Sequence, residues 1–181
     1  MKDLIFFHIA KTSGTSIKSM IKRSESELKC FSVRHERAQF YKNHLGDRFD
    51  DFTKFTVVRN PYTRFRSGCR QIMLNPNRGP KHIDRVIMSS EMASKVLCRQ
   101  SAFLSADGEI AADKIFRFEE DVPAGVQEWL IEMGATGEMP HKREATSEAI
   151  ELNEEMIEFV RGYYAADFEA FGYDPDDISV L

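Results

Sequence analysis

Asp3 to Ile9 is a short, nearly continuous apolar run of strand-forming residues, ended abruptly by Ala10-Lys11-Thr12-Ser13-Gly14-Thr15-Ser16. This predicts a buried strand entering a loop. From Ser16 to Arg23, Ile17, Met20 and Ile21 fall at helical spacing, with Thr15 or Ser16 as N-cap, so the first unit is strand, loop, helix. Leu28 to Val33 reads as a second strand. Glu36 to Leu45 reads as a helix carrying Phe40, Tyr41 and Leu45 on one face. Phe55-Thr56-Val57-Val58-Arg59 is another β-rich run, and Asn60-Pro61 behind it supplies a cap residue and then proline at the first helical position. A second strand, loop, helix unit follows.

Residues 75 to 80, dense in Asn, Pro and Gly, read as a loop, and Ile83 to Leu104 as a helical stretch. Lys114 to Phe118 reads as a short strand, with helices over Val122 to Met133 and Glu148 to Phe171. Strands alternating with helices predict an α/β fold, an open and mostly parallel sheet flanked by helices, in a single domain spanning residues 1 to 181. In such a sheet ligands bind at the carboxyl ends of the strands, where strand order reverses.

Composition narrows the class. At 42% hydrophobic residues the chain can bury one substantial core, and no run reaches the roughly 18 apolar residues of a membrane span. The start reads as a strand rather than a signal peptide, so a soluble cytoplasmic protein is expected, with no membrane partner. Cys30, Cys69 and Cys98 show no CxxC and no zinc-ligand spacing, and read as buried reduced thiols. The net charge of −4 conceals an asymmetry: residues 1 to 100 hold 20 Lys and Arg against 9 Asp and Glu, while residues 101 to 181 hold 5 against 20. A basic half fits an anionic ligand, nucleic acid, or attraction between halves of one domain. The acidic excess of Glu144 to Glu158 reads as a solvated helix face.

The loops carry the chemistry. His8-Ile9-Ala10-Lys11-Thr12-Ser13-Gly14-Thr15-Ser16 joins a buried strand to a helix, so backbone N–H groups and the positive helix end converge on one point suited to an anion. Lys11 adds a mobile charge, Thr12, Thr15 and Ser16 add hydroxyls, and Gly14 lets backbone pass close to a ligand. A Walker A loop places its lysine after the second glycine, whereas Lys11 precedes Gly14, and no strand ends in the aspartate of a magnesium site. In the second loop, Arg59 stands at a strand end and Ser67 about two helical turns later, a spacing at which guanidinium and hydroxyl can grip one phosphate.

Together, in this order, the two loops resemble those of the PAPS-dependent sulfotransferases (PAPS, 3′-phosphoadenosine 5′-phosphosulfate), particularly the carbohydrate-type branch that includes heparan 2-O-sulfotransferase and many bacterial enzymes. The first loop resembles the family's 5′-phosphosulfate loop H-I-P-K-T-G-G-T-S, with Ala10 in place of its proline and Ser13 in place of its first glycine. Val58-Arg59-Asn60-Pro61-Tyr62 through Ser67 resembles its 3′-phosphate motif. Gln100, Phe103-Leu104, Gly108-Glu109-Ile110, Asp113, Arg117-Phe118-Glu119, Pro140-His141 and Asp167-Phe168 through Phe171-Gly172-Tyr173 match weaker landmarks.

The resemblance implies PAPS as co-substrate, no required metal, and a hydroxyl or amine acceptor on a small molecule or saccharide. Lys11 would stabilise the bridging oxygen. Thr12, Ser13, Gly14, Thr15 and Ser16 would hold the 5′-phosphate, and Arg59 and Ser67 the 3′-phosphate. Where the family often has P-H-x-N-x-S, this chain departs with Pro140-His141-Lys142-Arg143-Glu144-Ala145. Lys142 and Arg143 are the only basic residues between Arg117 and Arg161, and from that charge, in a strongly acidic half, they are expected to reach back to the cofactor rather than form a solvent-exposed basic pair. The acceptor must lose a proton; His35, following a strand, is the expected base and Glu36 the alternative, with His8 a structural member of its loop. A metal-dependent nucleotide kinase and a non-catalytic nucleotide or nucleic-acid binding module remain open, although no basic-and-aromatic stacking platform favours nucleic acid. The sequence selects neither one acceptor nor an oligomeric state.

Overall fold

The computed structural model describes residues 3–33, 35–140 and 150–181. Its centre is a four-stranded sheet of β1 (Leu4–Phe7), β2 (Cys30–Phe31), β3 (Thr53–Val58) and β6 (Lys114–Arg117), in the order β2-β1-β3-β6 with every pairing parallel. The helices are α1 (Gly14–Arg23), α2 (Ala38–Leu45), α3 (Pro61–Gln71), α4 (Pro80–Ser89), α5 (Glu91–Leu97), α6 (Gln100–Leu104), α7 (Phe118–Asp121), α8 (Ala124–Glu132), α9 (Glu154–Tyr163) and α10 (Ala165–Phe171). A small antiparallel hairpin, β4 (Ser105–Ala106) and β5 (Glu109–Ile110), was not foreseen from the sequence.

Both faces of the sheet are covered, which is why β1 reads as an unbroken apolar run. Leu4 and Phe6 join Ile17, Met20, Phe55, Val57, Phe116, Val126 and Leu130 on one side. Ile5 and Phe7, one residue out of phase, join Tyr41, Phe49, Val58 and Phe103 on the other. A third cluster packs α3, α5, α9 and α10 together through Phe65, Cys69, Val96, Leu97, Val160, Tyr164 and Phe168.

Several elements differ from their sequence-based limits for identifiable reasons. β2 is two residues rather than six, because the backbone at Val33 bonds instead to Tyr41: its N–H donates to the hydroxyl at 2.6 Å and its carbonyl accepts from it at 3.2 Å. The expected helix over Ile83 to Leu104 is three helices. Ser90 caps α5 by accepting from the Ala93 N–H, and Asp167 accepts from the Gln100 and Ser101 N–H groups at 2.7 and 2.8 Å, starting α6 afresh. The expected final helix begins at Glu154 behind an Asn153 cap and breaks at Tyr164. Its first residues, with Lys142 and Arg143, lie outside those described.

The chain steps from β1 to β2 on one side, then returns past β1 to β3 on the other. Strand order therefore reverses at β1, and the loops after β1 and β3 emerge side by side at the carboxyl edge. Phe55 underlies both: fully buried, it stacks on Phe6 at 4.8 Å and meets Trp129, the chain's sole tryptophan, at 4.9 Å. Phe55→Ala is expected to destabilise the fold by about 3–5 kcal/mol, read as a lower denaturant midpoint in Trp129 fluorescence.

Candidate active site

The loop after β1 is built to turn peptide N–H groups outward. Lys11 and Ser13 both take positive φ, 70° and 60°, with a negative-φ Thr12 between them, an alternation in which successive N–H groups converge on a concavity. Such backbone in non-glycine residues is strained and implies surroundings that hold it. Ser13 is the residue before α1, its carbonyl accepting from the Ser16 and Ile17 N–H groups at 2.9 and 3.3 Å, so α1 starts two residues earlier than expected and has no side-chain cap. Its first turn carries no acidic residue, which leaves the positive helix end to another anion.

Two side chains in this loop act differently from their sequence reading. The Thr12 hydroxyl donates to the Ile9 carbonyl at 3.0 Å and its side chain is fully buried, so it braces the loop from within and what it offers outward is backbone. Gly14 is required by a neighbour rather than by φ: a Cβ there would fall 1.9 Å from Cδ2 of the His8 ring. His8 is itself buried and stacks on Phe6. Thr15 is exposed and Ser16 buried at the first turn.

Arg59, at the end of β3, is held through both backbone and side chain. The fully buried Gln100 amide accepts from the Arg59 N–H at 2.9 Å and donates to its carbonyl at 2.8 Å. The guanidinium donates from Nε to the Thr63 hydroxyl at 3.0 Å and from Nη1 to the Lys11 carbonyl at 3.3 Å, and it lies 4.3 Å from the centre of the Phe118 ring. The two loops are thus joined directly. α3 begins as expected, Asn60 Oδ1 accepting from the Tyr62 N–H with Pro61 in the first turn. Thr63, Ser67 and Arg70 recur on α3 at the spacing of one helical face, and Ser67 is half-buried.

Lys11 is half-buried, and its ammonium is held below the ordinary lysine range by desolvation first and then by the nearby Arg59 and Arg70 cations. His35 comes to the same place. It adopts φ 59°, its ring centre lies 4.7 Å from that of His8, and its Nδ1 is 3.1 Å from the His8 carbonyl. A carbonyl only accepts, so Nδ1 carries the hydrogen and the lone pair of the neutral ring is on Nε2. Glu36 is directed elsewhere, 3.6 Å from Lys95.

The weaker landmarks act as supports. Glu119 accepts from the Asn60 N–H and from the Tyr173 hydroxyl, each at 2.9 Å, and Arg117 donates to the Phe171 and Gly172 carbonyls. Asp167, fully buried, fixes the start of α6 and with it Gln100. Sequence reasoning passed over Arg70 and Arg64. Arg64 sits on the buried stripe of α3 with Pro61, Phe65 and Gly68, so the available signal was a charged residue at a helical core position.

Gly14→Ala is expected to push the His8 ring off its seat and carry His35 with it. Two-dimensional NMR of the histidine rings should show both sets of resonances shifted from those of the wild type; unchanged spectra would contradict the packing.

A family model described as the sulfotransferase family matches residues 1–103, a span that contains both loops, His35 and Gln100. No curated protein and no solved structure matches the chain. With more than half of its 181 residues matched, and a parallel α/β sheet that brings two cation-bearing loops together at its carboxyl edge, the chain belongs to the sulfotransferase family and is a sulfuryl-transferring enzyme.

Proposed function

We propose that the donor is PAPS and that the acceptor is a hydroxyl or amine of a saccharide or other small metabolite, handled in the cytoplasm by a carbohydrate-type enzyme. The observation that carries this reading is the Arg59 Nη1 bond to the Lys11 carbonyl, 3.3 Å long. It fixes two anion-suited loops side by side, so a ligand with an anionic group at each end of one nucleoside spans them.

In this reading the backbone N–H groups of Thr12, Ser13, Gly14 and Thr15, with the Thr15 and Ser16 hydroxyls, hold the 5′-phosphate. Arg59 and Ser67 hold the 3′-phosphate, and Lys142 and Arg143, outside the described residues, reach back to the cofactor. Lys11 meets the negative charge that grows on the oxygen bridging phosphorus and sulfur. The acceptor oxygen forms its bond to sulfur as the bridging S–O bond breaks, its electron pair leaving on the 5′-phosphate of the bisphosphate. His35 Nε2 takes the acceptor proton, while the Nδ1–H bond to the His8 carbonyl fixes the ring. A sulfuryl group carries less charge than a phosphoryl group, so the chemistry asks positioning and cations of the protein rather than a metal.

The nucleotide half is tested by calorimetry. Adenosine 3′,5′-bisphosphate should bind more than about tenfold tighter than ADP, since each charge-assisted bond lost with the 3′-phosphate is worth about 1.5–3 kcal/mol. Arg59→Ala should erase most of the difference, and equal wild-type affinities would refute the second loop's role.

The chemical half is tested with labelled PAPS and 4-nitrophenol as acceptor. Lys11→Ala should lower transfer far more than bisphosphate binding, and transfer should survive EDTA. His35→Ala should bind bisphosphate normally and lose about 10²- to 10⁴-fold in turnover. Near wild-type turnover in that variant would pass the base role to Glu36, and activity lost to chelation and restored by magnesium would favour a kinase.

A further inference from the structure

Arg64 is among the largest fully buried side chains, 1% exposed, and no carboxylate pairs with it among the described residues. Lys54, also buried, shows what compensation looks like, with Asp113 at 3.2 Å. Arg64 is instead surrounded by backbone oxygens. Nη2 donates to the Val96 and Cys98 carbonyls at 3.1 and 2.8 Å, and Nε donates to the Ala10 carbonyl at 3.3 Å. Nη1 is buried without a hydrogen bond among the described residues.

The first two contacts explain only where the charge rests. They lie at the carboxyl end of α5, where carbonyls lack helical partners and a cation is favoured. The third contact reaches into the anion loop. A trans peptide is planar, with its C=O and N–H pointing in opposite directions. Drawing the Ala10 carbonyl into the core therefore turns the Lys11 N–H out toward the loop mouth. The next carbonyl, that of Lys11, is taken by Arg59. Both peptides that flank Lys11 are thus held by guanidinium groups, and the residue between them adopts φ 70°. Strained backbone of this kind persists where its surroundings over-determine it, and two arginines supply that constraint.

We propose that Arg64 is the positioning residue that sets the Ala10–Lys11 peptide, and through it the direction of the Lys11 ammonium, for sulfuryl transfer. It touches neither donor nor acceptor. Its action passes through Lys11, and so the proposal rests on the reading of Lys11 given above.

The test is a double-mutant cycle between Arg64→Lys and Lys11→Ala, with transfer from PAPS to 4-nitrophenol, bisphosphate affinity and thermal melting measured for each. Arg64→Lys keeps a charge but cannot fork to three carbonyls. It is expected to fold, to lose at least tenfold in kcat with less than about threefold change in KM for PAPS, and to cost less than about twofold when Lys11 is already alanine. Arg64→Gln, which keeps a donor without charge, is expected to show the same coupling. Full turnover in Arg64→Lys, losses that multiply in the double variant, or failure of both Arg64 variants to fold would each overturn the proposal in favour of a purely structural role. Full turnover in Lys11→Ala alone would instead remove the catalytic reading of Lys11.

Discussion

β1 and β3 end side by side, and the site depends on how the peptides just beyond them are pinned to the turn between α5 and α6. Three side chains address that turn and a fourth, Gln100, reaches out from it. Arg64 bonds the Val96 and Cys98 carbonyls, Tyr164 donates its hydroxyl to the Leu97 carbonyl at 2.6 Å, Gln100 clamps Arg59, and Asp167 holds the Gln100 and Ser101 N–H groups. Each such bond contributes only about 1 kcal/mol net, but a buried group left without its partner costs more. The network is consequently stiff. A shift of Asp167 on α10 would be felt at Gln100, then at the Arg59 backbone, then at Lys11.

That dependence explains which parts of the structure were legible in the sequence. Signals generated within a few residues were easy to read: the apolar run of β1, covered on both faces, and the Asn60-Pro61 start of α3, whose cap and proline act on their own turn. The pairing of the two loops was legible because each carries its anion chemistry locally. Signals that depend on distant partners were not. The break before α6 is made by Asp167, far along the chain, and the early end of β2 is made by Tyr41. Helical spacing alone could not supply either. Arg64 was hidden for a related reason, since spacing places it in the core and only the fold shows that the core there consists of carbonyls.

His35 illustrates a position legible in one respect and not in another. Its place after a strand puts it at the carboxyl edge, as the order of elements implies. Its orientation comes from φ 59° and from the His8 carbonyl, neither of which is written in the local pattern. His8 in turn lies over Gly14, where any side chain would collide with the ring. Glycine in this loop therefore serves a histidine, which ties the His8–His35 pair to the loop after β1 through one close contact.

Electrostatics gives the loop its direction of response. Desolvation and the Arg59 and Arg70 cations disfavour the charged form of Lys11, so without an anion the site holds its ammonium less comfortably than water would. An anion placed among these groups reverses the largest neighbouring-charge effect and favours the protonated form. By linkage, whatever raises that pKa on binding must bind better as pH falls through the depressed range, taking up a proton as it does so. In the proposed reaction the same arrangement would favour the transition state over the ground state, because charge concentrates on the bridging oxygen only as the S–O bond breaks. A lysine destabilised before binding and best satisfied at that moment contributes differentially, which is the condition for its charge to lower the barrier rather than merely to hold the ligand.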